Sequence, residues 1–162
     1  MSDFPDYRDH YGQWALVVGG SEGLGEALAR GLARRRMNVA LVARNAEKLE
    51  AAASRIATYH GVETLAIPAD LAQADVLDQI LALLAGREIG FLIYNCAAEN
   101  GGEFLAEGVD SHLENIQVNC VAPTVLTHHF AREMVARKRG GVVLCSSIAG
   151  LQGINGGVKM YH

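Results

Sequence analysis

The stretch Trp14-Ala15-Leu16-Val17-Val18-Gly19-Gly20-Ser21-Glu22-Gly23-Leu24-Gly25 carries the key to the fold. Five apolar residues run unbroken into a cluster of glycines, after which Leu24, Leu28 and Leu32 recur at helical spacing. A continuous apolar run of this length suits a strand buried on both faces, and the leucines predict a helix over 23–35. Gly19, Gly23 and Gly25 fall in a GxxxGxG pattern at the turn between them. Missing side chains there let the backbone approach a pyrophosphate at the positive end of the following helix. The same glycines also suit a turn whose only task is tight geometry, so this pattern alone leaves both readings open.

Outward from this stretch the unit repeats. Apolar runs at 39–43, 62–67 and 91–95 alternate with helical patterns at 46–59 and 76–85. After Gly101 and Gly102 a long helical pattern spans about 110–138, with Asp110 and Ser111 as its N-terminal caps and Gly140 and Gly141 ending it. A fifth strand at 142–145 leads into a glycine-rich stretch at 150–157, and the sequence finishes at Tyr161-His162. Short strands bounded by helices predict a doubly wound α/β fold with a parallel sheet covered on both faces, a Rossmann fold, as one domain over 1–162, which the resemblance given below makes a dinucleotide-binding domain.

Composition narrows the function classes. Half of the 162 residues are apolar and 20% are charged, enough for one core. A net charge of −4 offers no basic face to nucleic acid or an anionic membrane, though a local cationic site for a phosphate is compatible with it. Cys96, Cys120 and Cys145 are too scattered for a zinc site or a disulfide framework and read as small buried apolar residues; no metal is expected. The opening residues 1–13 are acidic and aromatic without a cationic start, and no run approaches the roughly 20 apolar residues of a membrane span, so a soluble cytoplasmic protein is expected.

From its first strand to Tyr161 the chain resembles the short-chain dehydrogenase/reductase family. Val18-Gly19-Gly20-Ser21-Glu22-Gly23-Leu24-Gly25 is similar to the family's TGxxxGxG motif, with Val18 in the threonine's place. Asp70-Leu71 resembles the pair that holds the adenine ring, and Tyr94-Asn95-Cys96-Ala97 a loosened NNAG beside the cofactor. Asn119, Ser147 and Tyr161 match the family's catalytic Asn, Ser and Tyr, in the right order and context. The resemblance therefore implies a cofactor site built from Gly19, Ser21, Glu22, Gly23, Leu24, Gly25, Arg44, Asp70, Leu71, Asn95, Cys96 and Ala97. It also implies that only the first five of the family's usual seven strands are present, the fifth exposing an apolar edge, and that the chain is a C-terminally incomplete fragment. Locally, Tyr11-Gly12-Gln13-Trp14-Ala15, Met37-Asn38-Val39 and Ile89-Gly90-Phe91-Leu92-Ile93 are similar to the hydroxysteroid and 3-ketoacyl-CoA reductase branch, which hints at an apolar ketone.

In dinucleotide sites of this fold, a carboxylate at the tip of the second strand bonds the ribose hydroxyls of NAD, whereas an arginine pairs with the 2′-phosphate of NADP. Here Ala43 occupies the carboxylate position and Arg44 follows, which favours NADP(H) over NAD(H); the plain alternative is a solvated loop arginine. Glu22 argues mildly the other way, because NADP-dependent relatives often carry a basic residue at that position.

The implied chemistry is interconversion of a ketone or aldehyde with an alcohol by hydride transfer. Tyr161 would be the acid-base, Ser147 would bond the carbonyl oxygen and Asn119 would hold a water in a proton relay. A phenol with an ordinary pKa of about 10 needs a nearby cation near neutrality. The family supplies a lysine four residues after the tyrosine, a position this sequence does not reach; Lys159, before the tyrosine, is no substitute. A catalytically incomplete NADP-binding or regulatory protein is therefore the competing expectation. The partner is a small carbonyl or alcohol substrate; family members usually form dimers or tetramers through the long helix and the one after it, so a homo-oligomer stays open. His128 and His129 point to different helix sectors and do not suit a shared metal. The clusters 34–36 and 137–139 are read as solvated cations at helix C-termini, with Arg36 straining a turn where relatives carry glycine.

Overall fold

The computed structural model describes residues 4–98 and 103–147. Tyr161 and the stretch 150–157 lie outside the described residues. A short helix α1 (Arg8–Tyr11) precedes β1 (Trp14–Val18), α2 (Gly23–Ala33), β2 (Asn38–Ala43), α3 (Ala46–His60), β3 (Thr64–Pro68), α4 (Val76–Leu84) and β4 (Ile89–Tyr94). Helix α5 (Val109–Ile116) then runs through a π-helical turn (Gln117–Val121) into α6 (Ala122–Arg137), and β5 (Gly141–Leu144) follows. All strand pairs are parallel, in the order β3-β2-β1-β4-β5. The chain winds from β1 to one side through β3 and then crosses to β4 on the other, so the winding reverses between β1 and β4.

Strand periodicity splits the core between two faces. Leu16, Val18 and Val42 face α4 and α6, where Ile80, Leu126 and Phe130 cover them. Ala15, Val17 and Leu41 face the opposite way, onto Ala29 and Leu32 of α2 and Leu49 and Ile56 of α3. Covered on both sides, β1 is buried at every position, which is why its sequence reads as an unbroken apolar run rather than an alternating one.

Several expectations need correction. Leu24 is 62% exposed: α2 buries Gly25, Ala29, Leu32 and Ala33, so of the three leucines Leu32 is buried, Leu28 packs partly against the core and Leu24 falls outside the buried stripe. The long helix is capped by Gly108 in extended conformation, not by Asp110 or Ser111, which lie in its first turn. Cys120 and Cys145 are exposed and Cys96 is half-buried, so the cysteines are not a buried apolar set. Cys120 lies on the outer side of the π turn, and Cys145 follows β5, the partly exposed edge strand of the sheet.

The basic clusters are likewise not simply solvated. Arg35 stacks over Phe4 and Tyr7, at 4.9 and 5.0 Å, and donates to the Gly31 carbonyl. Arg137 donates to the Ile89 carbonyl at 2.8 Å, and Glu88 accepts from Arg139 at 2.9 Å, tying the end of α6 to the start of β4. Arg36 does adopt the left-handed backbone, φ 68°, that favours glycine.

The opening residues also do more than composition suggested. Tyr11 meets Phe91 edge-on at 4.8 Å, and a Cβ on Gly90 would lie 1.6 Å from the Tyr11 carbonyl oxygen. The segments around Tyr11-Gly12 and Ile89-Gly90 thus touch, and Gly90 is required by that contact.

Candidate functional site: a cleft at the carboxyl ends of the strands

The cleft opens where the winding reverses. Gly19, at φ 80°, leaves β1 with its N–H on the Val42 carbonyl, while Asn95 leaves β4 with its N–H on the Val18 carbonyl at 2.9 Å. A Cβ on Gly25 would lie 1.8 Å from the Gly19 carbonyl oxygen and 3.0 Å from the Asn95 side-chain nitrogen. Glycine at 25 therefore lets α2 start directly against the β1 turn and the β4 loop. At Gly23, φ 59°, a Cβ would meet nothing within 4 Å, so bare backbone faces open space. The N-cap Glu22 contributes no side-chain hydrogen bond to the helix start. First-turn N–H groups of a helix have no partners within the helix, and here they come with the positive end of its dipole.

A cleft of about 390 Å³ extends from this turn. It gathers Gly19, Ser21 and Glu22 after β1, Arg44 after β2, Asp70 and Leu71 after β3, and Asn95, Cys96 and Ala97 after β4. Nine of the sequence-predicted cofactor residues therefore share one surface, while Gly23, Leu24 and Gly25 shape the turn beside it without lining it. Asp70 holds its own loop, its carboxylate accepting from the Ala72 N–H at 3.1 Å, and Leu71 is buried beneath it. Burial pushes the Cys96 thiol up, with the Arg44 charge pulling the other way.

Two residues absent from the sequence reading also line the cleft, Asn45 and Lys48. Asn45 caps α3, its side-chain oxygen accepting from the Lys48 N–H at 2.9 Å. The Lys48 ammonium donates to the Glu22 carboxylate at 3.0 Å, joining the start of α3 to the glycine turn. The sequence signal that was open is Asn45 as helix N-cap, which puts Lys48 in the first turn of α3, next to the tip of β2.

Asn119 lies within the π turn. Its side-chain oxygen accepts from the Ala98 N–H and its side-chain nitrogen donates to the Ala98 carbonyl, both at 2.8 Å. Both polar atoms of the amide thus help to hold the loop after β4. Tyr94, which stands where NNAG has its first asparagine, is buried and donates its hydroxyl to the Val118 carbonyl; burial raises its pKa. A π turn misaligns the helical ladder, and Tyr94 and Asn119 both act at that irregularity. Ser147 lies just past β5, at the same end of the sheet. Tyr161 falls outside the described residues, so its position relative to Ser147 and Asn119 is not part of this geometry.

The donors present fit a dinucleotide: a bare glycine turn at a helix start, a carboxylate and an apolar side chain after β3, and a guanidinium after β2. No helix among the described residues is long and apolar enough to cross a membrane.

Comparison with known proteins agrees. The short chain dehydrogenase family model matches residues 13–161. A 7beta-hydroxysteroid dehydrogenase of Collinsella aerofaciens is 34% identical over 144 residues, 89% of this chain and 55% of that protein. A very-long-chain 3-oxoacyl-CoA reductase of Anas platyrhynchos is 36% identical over 145 residues, 86% of this chain and 46% of that protein. Among solved structures, a short-chain dehydrogenase from Sphingobium yanoikuyae in complex with NADPH superposes with a TM-score of 0.79 at 31% identity, over 85% of this chain and 55% of that one. The chain spans about half the length of the curated relatives it matches. With the parallel sheet, the glycine turn and the cleft all in place, the match across nearly its whole length means that this chain belongs to the short-chain dehydrogenase family.

Proposed function

We propose that this chain works as an NADP(H)-dependent oxidoreductase interconverting a ketone or aldehyde and the corresponding alcohol, with an apolar carbonyl compound as the favoured substrate class. The observation that carries the cofactor preference is Arg44, which lines the cleft at the tip of β2 beside Ala43. A guanidinium there can pair bidentately with a 2′-phosphate, and no carboxylate on β2 competes for the ribose hydroxyls. That the Sphingobium yanoikuyae relative binds NADPH supports the same choice. The substrate class rests on relatives whose names specify a hydroxysteroid and a 3-oxoacyl thioester.

In this reading Gly19, Ser21, Gly23, Leu24 and Gly25 hold the pyrophosphate end, Asp70 and Leu71 the adenine, Arg44 the 2′-phosphate, and Asn95, Cys96 and Ala97 the side of the site towards the chemistry. When bound, the nicotinamide supplies or takes up the hydride. Ser147 bonds the carbonyl oxygen of the substrate, and Tyr161 donates a proton to the developing alkoxide or accepts one from the alcohol. Asn119, with its side chain engaged on Ala98, fixes the loop after β4 and serves the proton relay from within the π turn.

Titration of the chain with NADPH and NADH tests the cofactor assignment. Arg44→Ala is expected to weaken NADPH about tenfold or more and NADH less than about twofold. Equal losses for the two would contradict phosphate recognition. Turnover of a ketone with NADPH separates a reductase from a protein that only binds.

A further inference from the structure

The charges around the cleft pose a problem that Arg44 alone does not solve. Its lining holds two cations, Arg44 and Lys48, against three carboxylates, Glu22, Asp70 and Glu114. Glu22 is the most awkward of these, because it sits on the glycine turn and lines the same cleft as Arg44. A bare carboxylate there would repel a phosphate dianion that Arg44 attracts.

The structure answers this with Lys48. Its ammonium reaches from the first turn of α3 to the Glu22 carboxylate, 3.0 Å away, across the rim of the cleft. The contact bridges 26 positions of sequence and joins two separate loops, so it is tertiary and not an accident of helical spacing. The Lys48 backbone is itself fixed, its N–H on the Asn45 side chain. With both side chains more than half exposed, the pair adds little to folding. Its weight falls on whatever anion enters the cleft.

We propose that Lys48 is a specificity-determining residue: by neutralising Glu22 it leaves the Arg44 end of the cleft with a net positive charge and so permits a 2′-phosphate at a turn that carries an acid. This inference rests on the NADP(H) reading above. Removing the ammonium uncovers Glu22, and removing both charges restores the balance, so the two substitutions are coupled instead of additive.

The test uses the full 162-residue chain and 2′,5′-ADP, which isolates phosphate recognition, with 5′-AMP as the control, titrated by calorimetry into Lys48→Met, Glu22→Gln, the double variant and Lys48→Arg. Lys48→Met is expected to weaken 2′,5′-ADP about fivefold and 5′-AMP less than twofold, roughly the weight of one partly screened charge. Adding Glu22→Gln is expected to recover most of that loss, and Lys48→Arg to bind within about twofold of the parent. An unchanged Lys48→Met, equal losses for both ligands, or a double variant no better than Lys48→Met overturns the role of Lys48 while leaving Arg44 in place. A parent chain that binds 2′,5′-ADP no tighter than 5′-AMP overturns the NADP(H) reading and this inference together. Preserved circular dichroism in every variant keeps these outcomes separate from misfolding.

Discussion

Strands β1 and β5 are built from the same kind of residue and meet different fates. Trp14–Val18 in β1 is buried at every position, whereas Val142, Val143 and Leu144 in β5 are each more than a third exposed. Both are parallel strands beside β4, but β1 has a neighbour on its other side and helices on both faces, while β5 is the edge of the sheet as described. Apolar sequence therefore marks where a strand is meant to be covered, and the surrounding elements decide whether it is. The half around β1 and β2, with α2 and α3, is a finished core that shapes a cleft; β5, at the edge of the other half, is the more exposed strand among the described residues.

The sharpest way to break this comparison is to delete the same sort of side chain in each half. Leu41→Ala, fully buried in the finished half, is expected to cost about 3 kcal/mol by denaturant unfolding. Val143→Ala on β5 is expected to cost less than about 1 kcal/mol, because that position already meets solvent. Equal costs would mean that β5 is covered in solution.

Tyr94 ties β4 to the π turn, and its removal is the next largest effect. Tyr94→Phe leaves the Val118 carbonyl without its donor at a buried site and is expected to cost about 1–2 kcal/mol in thermal denaturation. Because the neighbouring Asn119 holds Ala98, the same change should loosen the loop after β4, seen as faster amide exchange at Ala98.

The sequence showed the finished half almost completely, because two-sided burial produces apolar runs and a glycine turn produces its own spacing. Gly19 and the residues at 44, 70 and 95 could be assigned to one cleft from the sequence and its family resemblance, and Gly25 to the turn beside it. What could not be read depended on contacts between distant segments. The Lys48–Glu22 pair and the seating of Tyr11 on Gly90 leave no periodic trace. The π turn around Asn119 is a register slip inside a pattern that reads as one long helix. The exposed Leu24 shows the reverse error, helical spacing without burial.

A smaller effect belongs to the opposite end of the sheet. The His60 Nε2 is buried without a hydrogen-bond partner among the described residues, and burial, aided by Arg34 and Arg30, lowers its pKa from 6.5. The unfolded chain then takes up this proton more readily, so the contribution of His60 is complete above about pH 6.5 and is lost as pH falls through that value towards its lowered folded pKa. The melting temperature should decline slightly over that window, and His60→Gln should flatten the slope; an unchanged slope would show that His60 is solvated.

The most direct test of the central claim, that the cleft between the β1 and β4 loops is the dinucleotide site, is an amide chemical-shift map of the chain titrated with NADPH. The account predicts shifts at Gly19, Ser21, Arg44, Asp70 and Asn95, with His60 and Val62 at the far end of the sheet unmoved. Shifts confined to the far end, or spread evenly over the molecule, would contradict it.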